Sequence, residues 1–116
     1  MVRVKRVYEK PEAADGFRVL VDRLWPRGMK KEQAKVDLWM KDVAPSDALR
    51  KSFHREAMKW PDFVKNYESE LKKKKEWLAE LRKLEKEHGT ITLLFGAKDE
   101  EHNQAVILAG KLKERG

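Results

Sequence analysis

The stretch Phe17-Arg-Val-Leu-Val-Asp22 decides the fold prediction, because it is almost wholly apolar over the length of one strand. A strand without polar alternation is typical of the interior of a parallel sheet, where both faces are covered. Thr90-Ile-Thr-Leu-Leu-Phe95 has the same character. The two segments therefore predict two buried strands of one sheet.

Two weaker strand signals accompany them. Val2, Val4 and Val7 stand among basic residues and predict a first strand of mixed burial. Residues 36–40 alternate apolar and polar side chains, which fits a strand but also a helix that continues to position 43. The connection from the first strand to Phe17 is shorter than the dozen or so residues of a usual parallel crossover, so the direction of the first strand stays open.

Helical patterns fill most of the remaining chain. Pro61 is suited to a first helical position, Gly89 to a C-terminal cap and Asp99 to an N-terminal cap. The predicted helices cover 29–35, 46–54, 60–72, 76–88 and 100–114. Strands alternating with helices predict a single α/β domain over residues 1–116, with a small parallel or mixed sheet of about four strands covered by helices.

The composition of the chain indicates which partners and which cellular compartment to expect. Lys and Arg number 27 against 20 acids, which gives a net charge of +7 and makes anionic partners plausible. Abundant Lys and Glu with few Asn and Gln are also typical of heat-adapted proteins, and we interpret thermophily as the main cause of the charge density. The chain has no cysteine, no apolar leader in its first eight residues and no apolar run of membrane-spanning length, so we expect a cytoplasmic protein without membrane contact.

The unusual polar residues fall in two loops, 22–28 and 96–103, each of which follows a buried strand. Ligands of open α/β sheets bind beyond the carboxyl ends of the strands, so the two loops predict one site. Asp22 and His102 are the candidates for proton transfer, as general acid or base. The candidates for holding an anionic substrate or orienting it are Arg23, Trp25, Arg27, Lys98, Asp99 and Asn103.

Several of these residues also have structural interpretations. Arg23 or Arg27 could be held in an internal ion pair while Trp25 fills the core. Asp22 could accept backbone N–H groups and pair with Arg23, and His102 could be a capping residue. His54 and His88 are predicted at helix C-termini, where a cation is favoured. Trp39, Trp60 and Trp77 are predicted as core residues, and the lysine run 72–75 as a solvated corner.

The chain contains no glycine-rich phosphate loop, nucleophile elbow or dinucleotide fingerprint. We therefore predict no cofactor, and no metal, since there is neither a cysteine nor a close histidine pair. An anionic small molecule is the favoured partner of an enzyme or ligand-binding domain. A nucleic-acid-binding or regulatory module that uses the +7 charge and a non-catalytic interaction protein are the alternatives.

Short motifs run through nearly the whole chain: Arg18-Val-Leu-Val-Asp-Arg-Leu-Trp-Pro-Arg-Gly28, Asp37-Leu-Trp39, Ala44-Pro-Ser46, Leu49-Arg-Lys51, Phe53-His54, Trp60, Phe63, Tyr67, Thr92-Leu-Leu-Phe95, Ala97-Lys-Asp99 and His102-Asn103. Together they resemble the YeaO-like branch of the domain-of-unknown-function 488 family. The resemblance implies a small α/β domain and no particular reaction.

More distant branches of that family are similar in two places, with Asp-Val-Arg…Pro after one strand and a Cys-His-Arg pattern at the start of the last helix. The corresponding positions here are Asp22-Arg23…Pro26 and His102-Asn103. The resemblance thus implies that the two loops form one site. Because this chain lacks the cysteine, thiol chemistry is not carried over.

Overall fold

In the computed structural model, which describes residues 1–114, four strands form one parallel sheet in the order β1-β4-β2-β3. Leu93 of the central strand is paired with Val4 on one side and with Val19 on the other. The α/β prediction is confirmed. The strands are β1 (Val2–Arg6), β2 (Phe17–Leu20), β3 (Leu38–Trp39) and β4 (Ile91–Phe95).

The first strand is parallel to the others although its connection to β2 is short. β1 and β2 are separated by β4, so residues 7–16 must cross two strand spacings of about 4.8 Å and return along one strand of about 16 Å. Ten residues reach at most about 35 Å, which suffices. The connection includes one 3₁₀ turn, Ala13–Asp15, and no helix long enough to be a usual crossover.

Helices cover one face of the sheet and form the main core. Val19, Leu93 and Phe95 project from the sheet into this core, where they meet Tyr67 and Leu108. None of the helices in residues 1–114 is long and apolar enough to cross a membrane. The helices are α1 (Lys31–Ala34), α2 (Asp47–His54), α3 (Trp60–Leu71), α4 (Lys75–His88) and α5 (Gln104–Lys113).

The opposite face is covered mainly by loops. Leu20 and Leu94 form a second, smaller cluster with Val7 and Ala34, and the indoles of Trp25 and Trp39 pack against it. Trp39, Trp60 and Trp77, predicted as core residues, are in fact half-buried and pack against the margins of the two clusters. An indole is large and carries an N–H group that needs a partner, which favours the margin over the interior.

A buried charge network lies on the same face as the smaller cluster. Asp15, fully buried, forms ion pairs with Lys5 at 3.1 Å and with Arg18. Arg18 also donates to the carbonyls of Ala34 and Lys35, at 2.8 and 3.1 Å. Burial opposes the charge of Asp15, but hydrogen bonds from the Glu12 N–H, Lys5 and Arg18 hold the pKa of Asp15 below its ordinary value.

Most helix ends lie where the sequence predicts them. Ser46 caps α2 by accepting a hydrogen bond from the Leu49 N–H at 3.2 Å, and α4 ends at Gly89, where φ is 80°. The predicted break between the third and fourth helices falls at residues 72–74.

The predicted start of the last helix, with Asp99 as its N-cap, is wrong. The helix begins at Gln104, and its N-cap is Asn103. The Asn103 side chain accepts from the Val106 N–H at 3.1 Å. The Asp99 carboxylate instead accepts the N–H groups of Glu101 and His102, at 2.9 and 3.0 Å. An aspartate bonded to the backbone two residues ahead favours a turn over a helix, which accounts for the difference.

Candidate anion-binding site

A cavity of about 500 Å³ opens at the carboxyl ends of β2 and β4. It is bounded by the loop that follows β2, by α2 and by the start of α5. Six of the eight predicted site residues line it: Asp22, Arg23, Trp25, Arg27, His102 and Asn103. The two others, Lys98 and Asp99, are exposed and are not among the lining residues.

Asp22 links the ends of β2 and β4 to the start of α5. Its Oδ2 accepts the Gly96 N–H at 2.8 Å, and its Oδ1 accepts the Gln104 side-chain amide. Gly96 permits this approach, because a Cβ there would lie 2.9 Å from Asp22 Oδ2. Burial raises the pKa of Asp22 above its ordinary value, and the two hydrogen bonds reduce this effect without cancelling it.

Arg23 does not pair with Asp22, contrary to the structural alternative. Its Nε and Nη2 both donate to the Pro45 carbonyl, at 3.2 and 3.1 Å. Its Nη1 has no hydrogen-bond partner within residues 1–114. A guanidinium offers five donors in a fixed fork, so this arrangement fixes the side chain and leaves donors for an anion.

The loop that holds Arg23 is itself tied to α3 and to the turn between α3 and α4. The Tyr67 hydroxyl donates to the Val43 carbonyl at 2.6 Å, and Lys74 Nζ donates to the Ala44 carbonyl at 2.9 Å. The Glu70 carboxylate accepts both the N–H and the hydroxyl of Ser46, at 2.8 and 2.6 Å. Residues 43–46 are therefore fixed by contacts that span 24 to 30 positions of sequence.

The loop after β2 supplies another wall of the cavity. Trp25 donates its indole N–H to the Met29 carbonyl at 2.6 Å, which folds the loop back on itself. The Tyr8 hydroxyl donates to the Arg27 carbonyl at 2.9 Å, while Arg27 itself is exposed. Because the indole N–H of Trp25 is already bonded to Met29, Trp25 offers the cavity only apolar surface.

The α2 helix contributes three lining residues that the sequence analysis did not place in the site. Arg50, Phe53 and His54 follow the spacing i, i+3, i+4, which puts them on one face of a helix. Arg50 Nη2 pairs with Asp47 at 2.7 Å, and the buried Nε of Arg50 has no hydrogen-bond partner among residues 1–114. The helical spacing was visible in the sequence, but the contact of this face with the ends of the strands was not.

His102 and Asn103 have local partners. His102 Nδ1 lies 2.9 Å from Asp99 Oδ2, and its ring meets Trp60 edge-on at 4.9 Å. Through hydrogen bonds, chiefly from His102, the pKa of the exposed Asp99 lies below its ordinary value. Asn103 is buried, with its amide donating to the Asp99 carbonyl at 2.9 Å, so both ends of this side chain are used by the chain itself.

The charges around the cavity are unequal. Three arginines line it against a single carboxylate, that of Asp22, which gives +2 before either histidine is counted. Within residues 1–114, no group of three or more His, Asp or Glu side chains is placed to hold a metal ion. The arrangement suits an anion, because low-dielectric walls strengthen the field of such cations.

The chain matches, over residues 1–115, the family described as "Inactive DUF488-N3 subclade". It belongs to this family. It is similar to the uncharacterized protein YeaO of Escherichia coli K12, with 41% identity over 112 residues, 97% of this chain and 96% of YeaO. It is equally similar to the uncharacterized protein Rv3073c of Mycobacterium tuberculosis H37Rv, with 41% identity over 114 residues, 98% of this chain and 95% of that protein. No solved structure matches this member of the family.

Proposed function

We propose that this member of the DUF488 family is a binding domain for a small phosphate- or carboxylate-bearing molecule. Arg23, Arg27 and Arg50 hold the anionic group. One observation carries the proposal: three arginines line a single cavity of about 500 Å³ whose one carboxylate already accepts hydrogen bonds from the chain.

The availability of the arginine donors supports binding. Arg23 is fixed by the Pro45 carbonyl without a carboxylate partner, and the Arg50 Nε is unpartnered among residues 1–114. Because Arg23 is held by a neutral group, its charge stays available, and its side chain loses little entropy when an anion binds; Arg50 also pairs with Asp47, so its contribution rests on that Nε. Within residues 1–114 Asp22 forms no ion pair with Arg23, and Asp99 pairs with His102 rather than with the neighbouring Lys98. Tight pairs within each loop would instead have favoured a purely structural role.

Three features favour binding over catalysis. Each oxygen of Asp22 already accepts a hydrogen bond, which fits a structural carboxylate better than a general base. The chain has no cysteine at the position where distant branches carry one. The family description itself contains the word "inactive". In this proposal Asp22 therefore shapes the cavity, and His102 borders it.

Calorimetric titration with inorganic phosphate and with acetate at low ionic strength tests the proposal. We expect binding that weakens at least tenfold in Arg23→Gln, since a fixed fork of donors is lost. Arg82→Gln on α4 is the matched control, because Arg82 is exposed, lies outside the cavity and loses the same charge. Equal weakening in both variants would assign the binding to net charge and refute the site, as would the absence of binding.

A further inference from the structure

The cavity is larger than an inorganic anion requires. Its volume of about 500 Å³ equals that of roughly 17 water molecules at about 30 Å³ each. Cavities of roughly 300–1,000 Å³ are typical of sites that enclose a small organic molecule. A phosphate or carboxylate group at the arginines therefore leaves most of the space to be filled by the rest of the ligand.

One wall of that remaining space is aromatic. Phe53, one helical turn beyond Arg50, lines the cavity and is half-buried. Its ring stacks on the buried Phe63, with 4.4 Å between centroids and an angle of 28° between planes. Phe63 stacks in turn on Trp60 at 5.6 Å. Phe63 also lines the cavity, so Phe53 belongs to a stack of rings that fix one another beside Arg50.

Exposed apolar side chains also concentrate at this cavity. Within residues 1–114, three large hydrophobic side chains are exposed, namely Met1, Tyr8 and Leu24, and two of the three line the cavity. Leu24 is 61% exposed. Exposed apolar groups gathered at one concave place are a mark of a binding site, since a ligand that covers them gains their burial.

The geometry points to an aryl anion as the ligand class: a phosphate or carboxylate attached to an aromatic ring. The anionic group meets the same three arginines, Arg23, Arg27 and Arg50. The ring occupies the space beside Phe53 and Leu24. The inference rests on the proposed anion site and adds the second half of the ligand. Planar rings pack on aromatic side chains in offset or edge-on arrangements, which a site built on a fixed phenylalanine provides.

The test compares inorganic phosphate, methyl phosphate and phenyl phosphate by calorimetry at one pH and one ionic strength. We expect phenyl phosphate to bind at least tenfold more tightly than methyl phosphate. Leu24→Ser removes an exposed side chain, so it leaves folding intact, and it should reduce the advantage of phenyl over methyl phosphate about threefold. Phe53→Leu should reduce it further, as measured by the ratio of phenyl to methyl phosphate affinity within each variant.

The possible outcomes separate the two proposals. Equal binding of methyl and phenyl phosphate overturns the aryl inference and leaves the anion site intact. A phenyl advantage that survives both Leu24→Ser and Phe53→Leu places the ring elsewhere and also overturns it. Failure of all three ligands refutes the proposed function, and the aryl inference with it. Circular dichroism of Phe53→Leu shows whether that variant is folded, and Leu24→Ser decides the matter if it is not.

Discussion

Glu70 on α3 accepts two hydrogen bonds from Ser46, one from its N–H at 2.8 Å and one from its hydroxyl at 2.6 Å. Ser46 is also the N-cap of α2 and directly follows Pro45, whose carbonyl holds Arg23. One carboxylate thus fixes both the start of a helix and the orientation of an arginine that it does not touch.

The first prediction concerns this contact. Glu70→Gln keeps the shape but turns one acceptor oxygen into a donor, so one Ser46 donor loses its partner. We expect the free energy of unfolding to fall by about 1–3 kcal/mol, measured by urea denaturation. Affinity for inorganic phosphate should fall as well, because the Pro45 carbonyl is less firmly held.

Glu68→Gln is the control for that change. Glu68 lies on the same helix and pairs with Lys111 at 2.9 Å near the surface, where such a pair contributes about 0–1 kcal/mol. If the two variants lose equal stability and equal phosphate affinity, Glu70 has no special role in positioning Arg23.

The buried network around Asp15 predicts a larger loss. Asp15→Asn leaves Lys5 and Arg18 buried without their shared counter-charge, and we expect a destabilisation of about 3–5 kcal/mol in urea at pH 7. The control is Asp62→Asn at an exposed position of α3, which should change stability by no more than about 0.5 kcal/mol. If Asp15→Asn loses as little stability as Asp62→Asn, Asp15 is not the counter-charge on which Lys5 and Arg18 depend.

The same aspartate predicts the direction of a pH effect. The pKa of Asp15 is lowered in the folded protein, so its contribution to stability is present above the ordinary value of 3.8 and is lost as the pH falls through the folded pKa. Urea denaturation between pH 2 and 7 should show wild-type stability decreasing below about pH 4. The difference between wild type and Asp15→Asn should shrink over that range, and a constant difference would be inconsistent with this assignment.

Asp22 is predicted to stabilise the meeting point of β2, β4 and α5. In Asp22→Asn the new NH₂ group either meets the Gly96 N–H, or faces Gln104, whose amide must then flip and give up its hydrogen bond to the Val21 carbonyl. We expect a loss of about 1–3 kcal/mol in urea denaturation. If Asp22→Asn is as stable as wild type, the carboxylate is not needed at this junction and is free for another role.

Lys98 provides a prediction of little effect. It follows the same strand as the cavity-lining Gly96 and Ala97, but it is exposed and does not line the cavity. Lys98→Ala should leave phosphate affinity within about twofold at 0.15 M salt, because salt at this concentration weakens the effect of exposed charges. A tenfold loss of phosphate affinity, measured by calorimetry, would show that Lys98 contributes to anion binding.

The parts of the fold that could be predicted are those with local signals. Apolar runs identified β2 and β4, and Pro61 and Gly89 lay at helix ends because their backbone preferences are intrinsic. The position of β4 between β1 and β2 could not be predicted. Leu93 pairs with Val4 and with Val19, each more than 70 positions away in the sequence. A local sequence pattern cannot predict such a pairing.

The site residues that follow a strand were predicted from the sequence. Those that reach the cavity through the packing of a helix were missed. Asp22 and Arg23 follow a strand directly, so their location at the edge of the sheet could be inferred. Arg50 and Phe53 reach the same cavity only because α2 packs over it, which the sequence did not indicate. Lys98 was included because it lies in the loop that follows β4, but it is exposed and does not line the cavity.

The central position of β4 also governs how the chain acquires its structure during synthesis. The N-terminal strands β1 and β2 are not neighbours, and each pairs with β4, which ends at Phe95. Until the ribosome has added Phe95, β4 is incomplete, and neither β1 nor β2 can pair with it. The sheet is therefore completed only after about four fifths of the chain has emerged, and contacts so distant in sequence favour slow folding.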